Sequence, residues 1–188
     1  MRALLLAALF FLGAPFWETK PPEKWSDREV DMMRHNSPWA QPAGQTLPVL
    51  VYLATAAPIE EAETEARVRT KNHLHDLDPD YSYFITQHRE DHFVLAIPYT
   101  NLSGLGKAEE TKKMEEESVM MIGRKSHPID GYFPPTPSDP VLRLVFPRVV
   151  KPTDKSVLFR LYLPGIDFPD REVEFRVKEL MYHGKLEM

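Results

Sequence analysis

The chain has 188 residues, 43% of them hydrophobic, and its 28 acidic against 23 basic side chains leave a net charge of −5, with no cysteine. That length suits one domain of ordinary size, able to bury roughly 70% of its unfolded surface. The acidic balance, without a dense Lys/Arg cluster, argues against nucleic acid and anionic membrane surfaces as partners, and the missing thiols exclude disulfides and a lipid-modified cysteine.

Met1-Arg2 leads into an uninterrupted apolar run from Ala3 to Leu12, the charged start and short hydrophobic stretch of a secretory signal. A spanning helix needs about 20 apolar residues, so the run reads as an export leader. Leu12-Gly13-Ala14 supplies small residues for cleavage near residue 14, although Pro15 is a poor neighbour for processing. The expectation is a signal peptide over 1–14, an extended lead-in over 15–24 around Pro21-Pro22, and a single domain over 25–188. The mature protein is then exported, periplasmic or extracellular, with no stable membrane insertion after the leader is removed.

Ser26-Asp27-Arg28-Glu29 is a capping box, and Trp25 before it with Val30 after it makes a hydrophobic staple. A helix is predicted over 27–35, with Arg34 and His35 suited to the negative end of its dipole. So short a helix needs a larger surface to dock on, and Trp25, Met33 and Trp39 are the residues to do it. Residues 47–54 read as a buried strand. Pro58 then opens a second helix over 58–77, with Glu60, Glu61 and Glu63 in its first turns and Pro79 setting its end.

Tyr81, Tyr83 and Ile85 alternate into a polar turn at 87–91, and 93–97 returns, so 81–97 is predicted to be a hairpin. A glycine-containing loop at 102–106, a short helix over 107–117 and a strand over 118–122 ended by Gly123 follow, and the proline-rich stretch 129–140 reads as a rigid connection. Beyond it, Leu142, Leu144 and Phe146, then Val157, Phe159, Leu161 and Leu163, then Val173, Phe175 and Val177 each recur at every second position. That is the period of half-buried sheet, broken by turn chemistry at Pro152, Pro164-Gly165 and Pro169-Asp170. The predicted fold is α+β: a largely antiparallel sheet with a C-terminal meander, and two main helices packed on one face.

Trp25-Ser26-Asp27, Ser37-Pro38-Trp39-Ala40 and the closing Met181-Tyr182-His183-Gly184-Lys185-Leu186-Glu187 resemble a family of uncharacterised exported bacterial proteins. The resemblance spans most of the mature chain and implies export and a single domain. It carries no activity or site residue across.

Seven histidines in a chain without cysteine raise the question of metal binding. The densest cluster is His88-Arg89-Glu90-Asp91-His92, which makes His88, Glu90 and His92 the candidate ligands. Zinc-protease motifs set two histidines a turn apart on a helix with a glutamate as base. Here the five residues fall in the predicted hairpin turn, and their order matches neither known pattern. His73 and His75, two apart, would point to different helix faces. With no G-x-S-x-G elbow and no nucleotide fingerprint, no cofactor is expected. Two classes of function follow. One is a non-catalytic exported module, binding or structural, engaging a protein or envelope component through a sheet edge or aromatic surface. The other is a hydrolase of unrecognised type, metal-dependent through His88, Glu90 and His92. The missing constellation favours the first.

Overall fold

The computed structural model of the protein describes residues 14–70, 77–99 and 107–188. The leader, the last turns predicted for the second helix with His73 and His75, and the glycine-containing loop lie outside the described residues. The helices are α1 (Phe16–Thr19), α2 (Asp27–His35), α3 (Ala57–Thr70), α4 (Pro79–His88) and α5 (Ala108–Glu117). The first strands are β1 (Ala40–Ala43), β2 (Val49–Leu53), β3 (His92–Pro98), β4 (Val119–Ile122), β5 (Lys125–Pro128) and β6 (Gly131–Phe133). They are followed by β7 (Val141–Pro147), β8 (Ser156–Tyr162), β9 (Asp170–Arg176), β10 (Met181–Tyr182) and β11 (Lys185–Leu186).

All strand pairs are antiparallel, and the architecture is α+β. A five-stranded sheet runs β1-β2-β3-β7-β6, a four-stranded sheet runs β5-β4-β8-β9, and β10-β11 is a separate hairpin. The C-terminal strands therefore divide between sheets: β8 and β9 form the expected hairpin, whereas β7 pairs with β3 from His92↔Pro147 through Pro98↔Val141. The burial patterns explain the split. In β9 buried and exposed residues alternate strictly, one face on the core and one in water, while β3 and β7 are buried at every interior position. A strand covered on both sides reads as a continuous apolar run, and it belongs in the middle of a sheet.

Between the two sheets lies a chain of phenylalanines. Phe93 packs on Phe146 at 5.9 Å, Phe146 on Phe159 at 5.1 Å, and Phe159 on Phe175 at 5.8 Å, so the rings pass from one sheet into the other. The sheets also meet at an edge, where the Gly44 amide donates to the Glu172 carbonyl at 2.9 Å. Gly44 sits at φ +85, and a Cβ there would come within 2.5 Å of the Arg171 side chain, so glycine is required on both backbone and steric grounds.

The stretch 81–97 is half as predicted. β3 is its second strand, but 79–88 is a helix. Asp78 caps it, accepting from the amides of Asp80 and Tyr81, and Pro79 opens it instead of closing the helix before. A strand would set Tyr81 and Tyr83 on the same side. In the helix Tyr81 is 5% exposed and Tyr83 70%, while Tyr81 and Phe84, three apart, both pack on Phe133. The stretch 129–140 likewise contains β6, which pairs with β7.

The lead-in is not extended. α1 and a 3₁₀ turn at Pro22–Lys24 bring Phe16 to 5.4 Å from Trp25 and Trp17 to 5.9 Å from Trp39, both edge-on. Trp25 and Trp39 are themselves buried, as their docking role requires, and α2 carries the full capping box with Ser26 and Glu29. The Trp39 indole N–H donates to the Glu187 carbonyl at 3.0 Å, which ties this cluster to the last residues. There His183 and Gly184, both at positive φ, make the tight turn of the β10-β11 hairpin, and Met188 is buried. The Glu187 carboxylate accepts from the Ala57 amide at 3.2 Å, the Met188 carbonyl accepts from Thr55 Oγ1 at 2.9 Å, and Tyr182 donates to Glu61 at 2.5 Å. The tail thus caps the start of α3.

Two outcomes follow. Trp39→Ala empties a fully buried indole site and should lower stability by about 3–5 kcal/mol in urea denaturation; an unchanged midpoint would show that the cluster is dispensable. Glu29 is held down at about 2 from 4.5, first by its hydrogen bond to Lys20 and then by the Ser26 amide. A depressed carboxylate stabilises the fold above its unfolded pKa and loses that contribution as pH falls from 4.5 through about 2. Glu29→Gln should therefore narrow the stability difference between pH 6 and pH 3, and an identical acid profile would refute the assignment.

Candidate functional site

A cleft of about 680 Å³ opens on the helix-covered face of the five-stranded sheet. Its floor follows from register. Tyr52 pairs with Ala96 and Ala96 with Arg143, and directly paired residues project to the same side of a sheet. Leu50, Tyr52 and Ala54 of the β2 segment continue that floor at every second position. α3 forms one wall through Ile59, Glu63 and Ala66, α4 the other through Tyr81, Ser82 and Ile85, and Arg34 and His35 at the end of α2 reach the mouth.

Arg143 is the structural centre of this face. It is 4% exposed, and it meets Asp139, 5% exposed, through two hydrogen bonds of 2.8 and 3.2 Å. Its guanidinium lies 4.3 Å from the centre of the Tyr81 ring, a cation–π contact. Burial by itself would lower the arginine pKa, but the hydrogen bonds and charge of Asp139 outweigh it and the value is raised. Asp139 also accepts from the Asp78 amide at 3.2 Å, so one carboxylate joins strand β7 to the start of α4. The Arg143 Nε has no partner among the described residues.

Three more basic side chains around the cleft are paired with carboxylates. Arg34 meets Glu63 at 2.8 Å, Arg89 meets Glu60, and His35 meets Asp31 at 2.9 Å. Burial pushes the Tyr81 hydroxyl up to about 12. Tyr52 is raised as well, first by burial and then by Glu63. Both phenols are neutral donors at any physiological pH. Two further polar side chains stand out because no group of the described residues engages them. The Tyr52 hydroxyl and the Arg67 guanidinium both line the cleft, and neither has a side-chain hydrogen bond or ion pair with the described residues.

The candidate ligands named from sequence fall elsewhere. His88 ends α4 and His92 begins β3, with ring centres 6.0 Å apart and Phe84 against both. His92 Nε2 is 3.3 Å from Asp130, while its Nδ1 is buried without a partner. Glu90 is exposed in the turn between them and contacts neither ring. Among the described residues no group of three or more His, Cys, Asp or Glu side chains converges on a metal position. The groups that sequence reading missed are Tyr52, Tyr81, Asp139 and Arg143. The available signal was an arginine inside the otherwise apolar run 141–147, with an aspartate four residues before it.

No family model, curated protein or solved structure matches the chain. No helix of the described residues is long and apolar enough to cross a membrane.

If Asp139 neutralises Arg143, then Asp139→Ala strands a buried charge and should lose about 3–5 kcal/mol. Exchanging both partners for apolar residues, Asp139→Leu with Arg143→Met, should restore most of that loss. Denaturation of the three proteins decides it: a double variant no more stable than the single would mean that the Asp78 contact, and not the charge pair, dominates.

Proposed function

We propose that the protein is an exported, non-catalytic binding module of the cell envelope, periplasmic or extracellular, which takes a largely apolar small molecule into the cleft between α3, α4 and the sheet. The cleft itself carries this reading. At about 680 Å³ it lies within the roughly 300–1,000 Å³ of ligand sites, and its lining joins aliphatic side chains such as Leu50, Ile59 and Ile85 to charged groups that are mostly held in pairs. The chemistry of the lining favours holding over reacting. General acid–base work wants a group poised near the operating pH, whereas here the carboxylates sit in ion pairs and the tyrosines are kept neutral. Export rests on the leader over 1–14 and on the resemblance of the Trp25-Ser26-Asp27 and C-terminal motifs to an exported family.

N-phenyl-1-naphthylamine, an uncharged dye that brightens on leaving water, provides the test. The full mature chain should enhance its fluorescence, and Ser82→Trp on one wall or Thr64→Trp on the other should abolish the enhancement with the urea midpoint unchanged. A dark dye with the parent protein, or equal brightness with both filled variants, would remove the cleft from consideration.

A further inference from the structure

The cleft's ligand can be narrowed from the groups that the protein leaves unpaired, an argument that rests on the cleft being a binding site. Four basic side chains line it: Arg34, His35, Arg67 and Arg143. Three already have carboxylates, in Glu63, Asp31 and Asp139. Arg67, half-buried on α3, is the one without a counter-charge among the described residues. A second observation is independent of it. Tyr52 lines the cleft with Leu50 and Ile59, and its hydroxyl has no hydrogen-bond partner among the described residues, although the charges of Glu63 and Arg143 act on it.

A pure hydrocarbon filling this space would strip water from both donors and give them nothing in return, and a donor desolvated without a partner weakens binding. An ammonium-bearing ligand would bring further donors and a like charge to Arg67. The need is for an apolar body that ends in a group made only of acceptors. A carboxylate is such a group: ionised, it has two oxygens and no proton to donate.

We propose that the cleft binds a long-chain carboxylate, its chain laid along the apolar part of the lining and its head group received by Arg67 and Tyr52. Arg143 does not take the head group. Both of its terminal nitrogens are engaged by Asp139, so its part is to hold α4 in place as a wall.

Displacement of N-phenyl-1-naphthylamine from the full mature chain compares laurate with methyl laurate, which has the same chain and no charge. Laurate should compete at concentrations about fivefold or more below the ester, the range of a partly solvated ion pair. Arg67→Met, which keeps the aliphatic stem, should bring the acid close to the ester. Tyr52→Phe should weaken laurate by about threefold to tenfold, the net worth of one hydrogen bond. Dye that binds but is displaced equally by acid and ester, or an acid preference that survives Arg67→Met, overturns the carboxylate assignment and leaves the binding cleft intact. Failure of the dye to bind the parent protein overturns the cleft reading and this inference with it.

Discussion

A guanidinium on the covered face of a central strand has to be neutralised where it stands, because removing a charge from water costs several kcal/mol unless a partner and hydrogen bonds replace the solvent. Arg143 is in that position on β7. Its needs are met from two directions, Asp139 in the plane of the guanidinium and the Tyr81 ring against its face. Asp139 precedes the strand and Tyr81 belongs to α4, so satisfying one side chain brings the helix onto the sheet. The Asp139 contact to the Asp78 amide then sets where α4 begins. Without this arrangement there would be no second wall, and the outer face of the sheet would be an open apolar surface instead of a cleft.

The opposite wall depends on a different long-range contact. α3 starts beside the end of the chain, where Glu187 accepts from its first amide and the Met188 carbonyl receives Thr55 and Arg148. Thr55 also accepts from the Val94 amide, so the tail, the start of α3 and strand β3 share one small polar network. Trp39 closes it from below through the Glu187 carbonyl. A local lesion in the tryptophan cluster is therefore expected to reach the cleft, since the wall that carries Glu63, Ala66 and Arg67 is anchored there.

The two faces of the five-stranded sheet differ in chemistry. The inner face supplies Phe93, Leu95 and Phe146 to the stacked phenylalanine core, and nothing polar is needed there. The outer face carries Tyr52 and Arg143 amid aliphatic residues, and the charge of Arg143 is balanced by Asp139. The proposed capture of an amphiphile would draw on both: area for the chain, and phenols that stay protonated.

Features decided within a few residues were legible from sequence alone. The capping box of α2 is satisfied by Ser26 and Glu29 three positions apart, and the alternation in β8 and β9 needs only water on one side and a core on the other. The burial of Trp25 and Trp39 followed as well, because a helix that short has to dock. Features decided between distant residues were not. Tyr81, Tyr83 and Ile85 satisfy a strand period while Tyr81, Phe84 and Ile85 satisfy a helix face, and the choice fell to helix because Asp78 and Pro79 start one and because Val94, Val145 and Phe133 offer a surface for Tyr81 and Phe84. β7 carries the same apolar alternation as its C-terminal neighbours, yet it left them for β3, which lies 49 residues upstream at the central Leu95↔Leu144 pair, since only a site covered on both sides accommodates Val145 and a neutralised Arg143. The cleft belongs to this second kind: Tyr52, Arg67, Tyr81 and Arg143 lie on four separate elements, and only the packing of those elements brings them to one space.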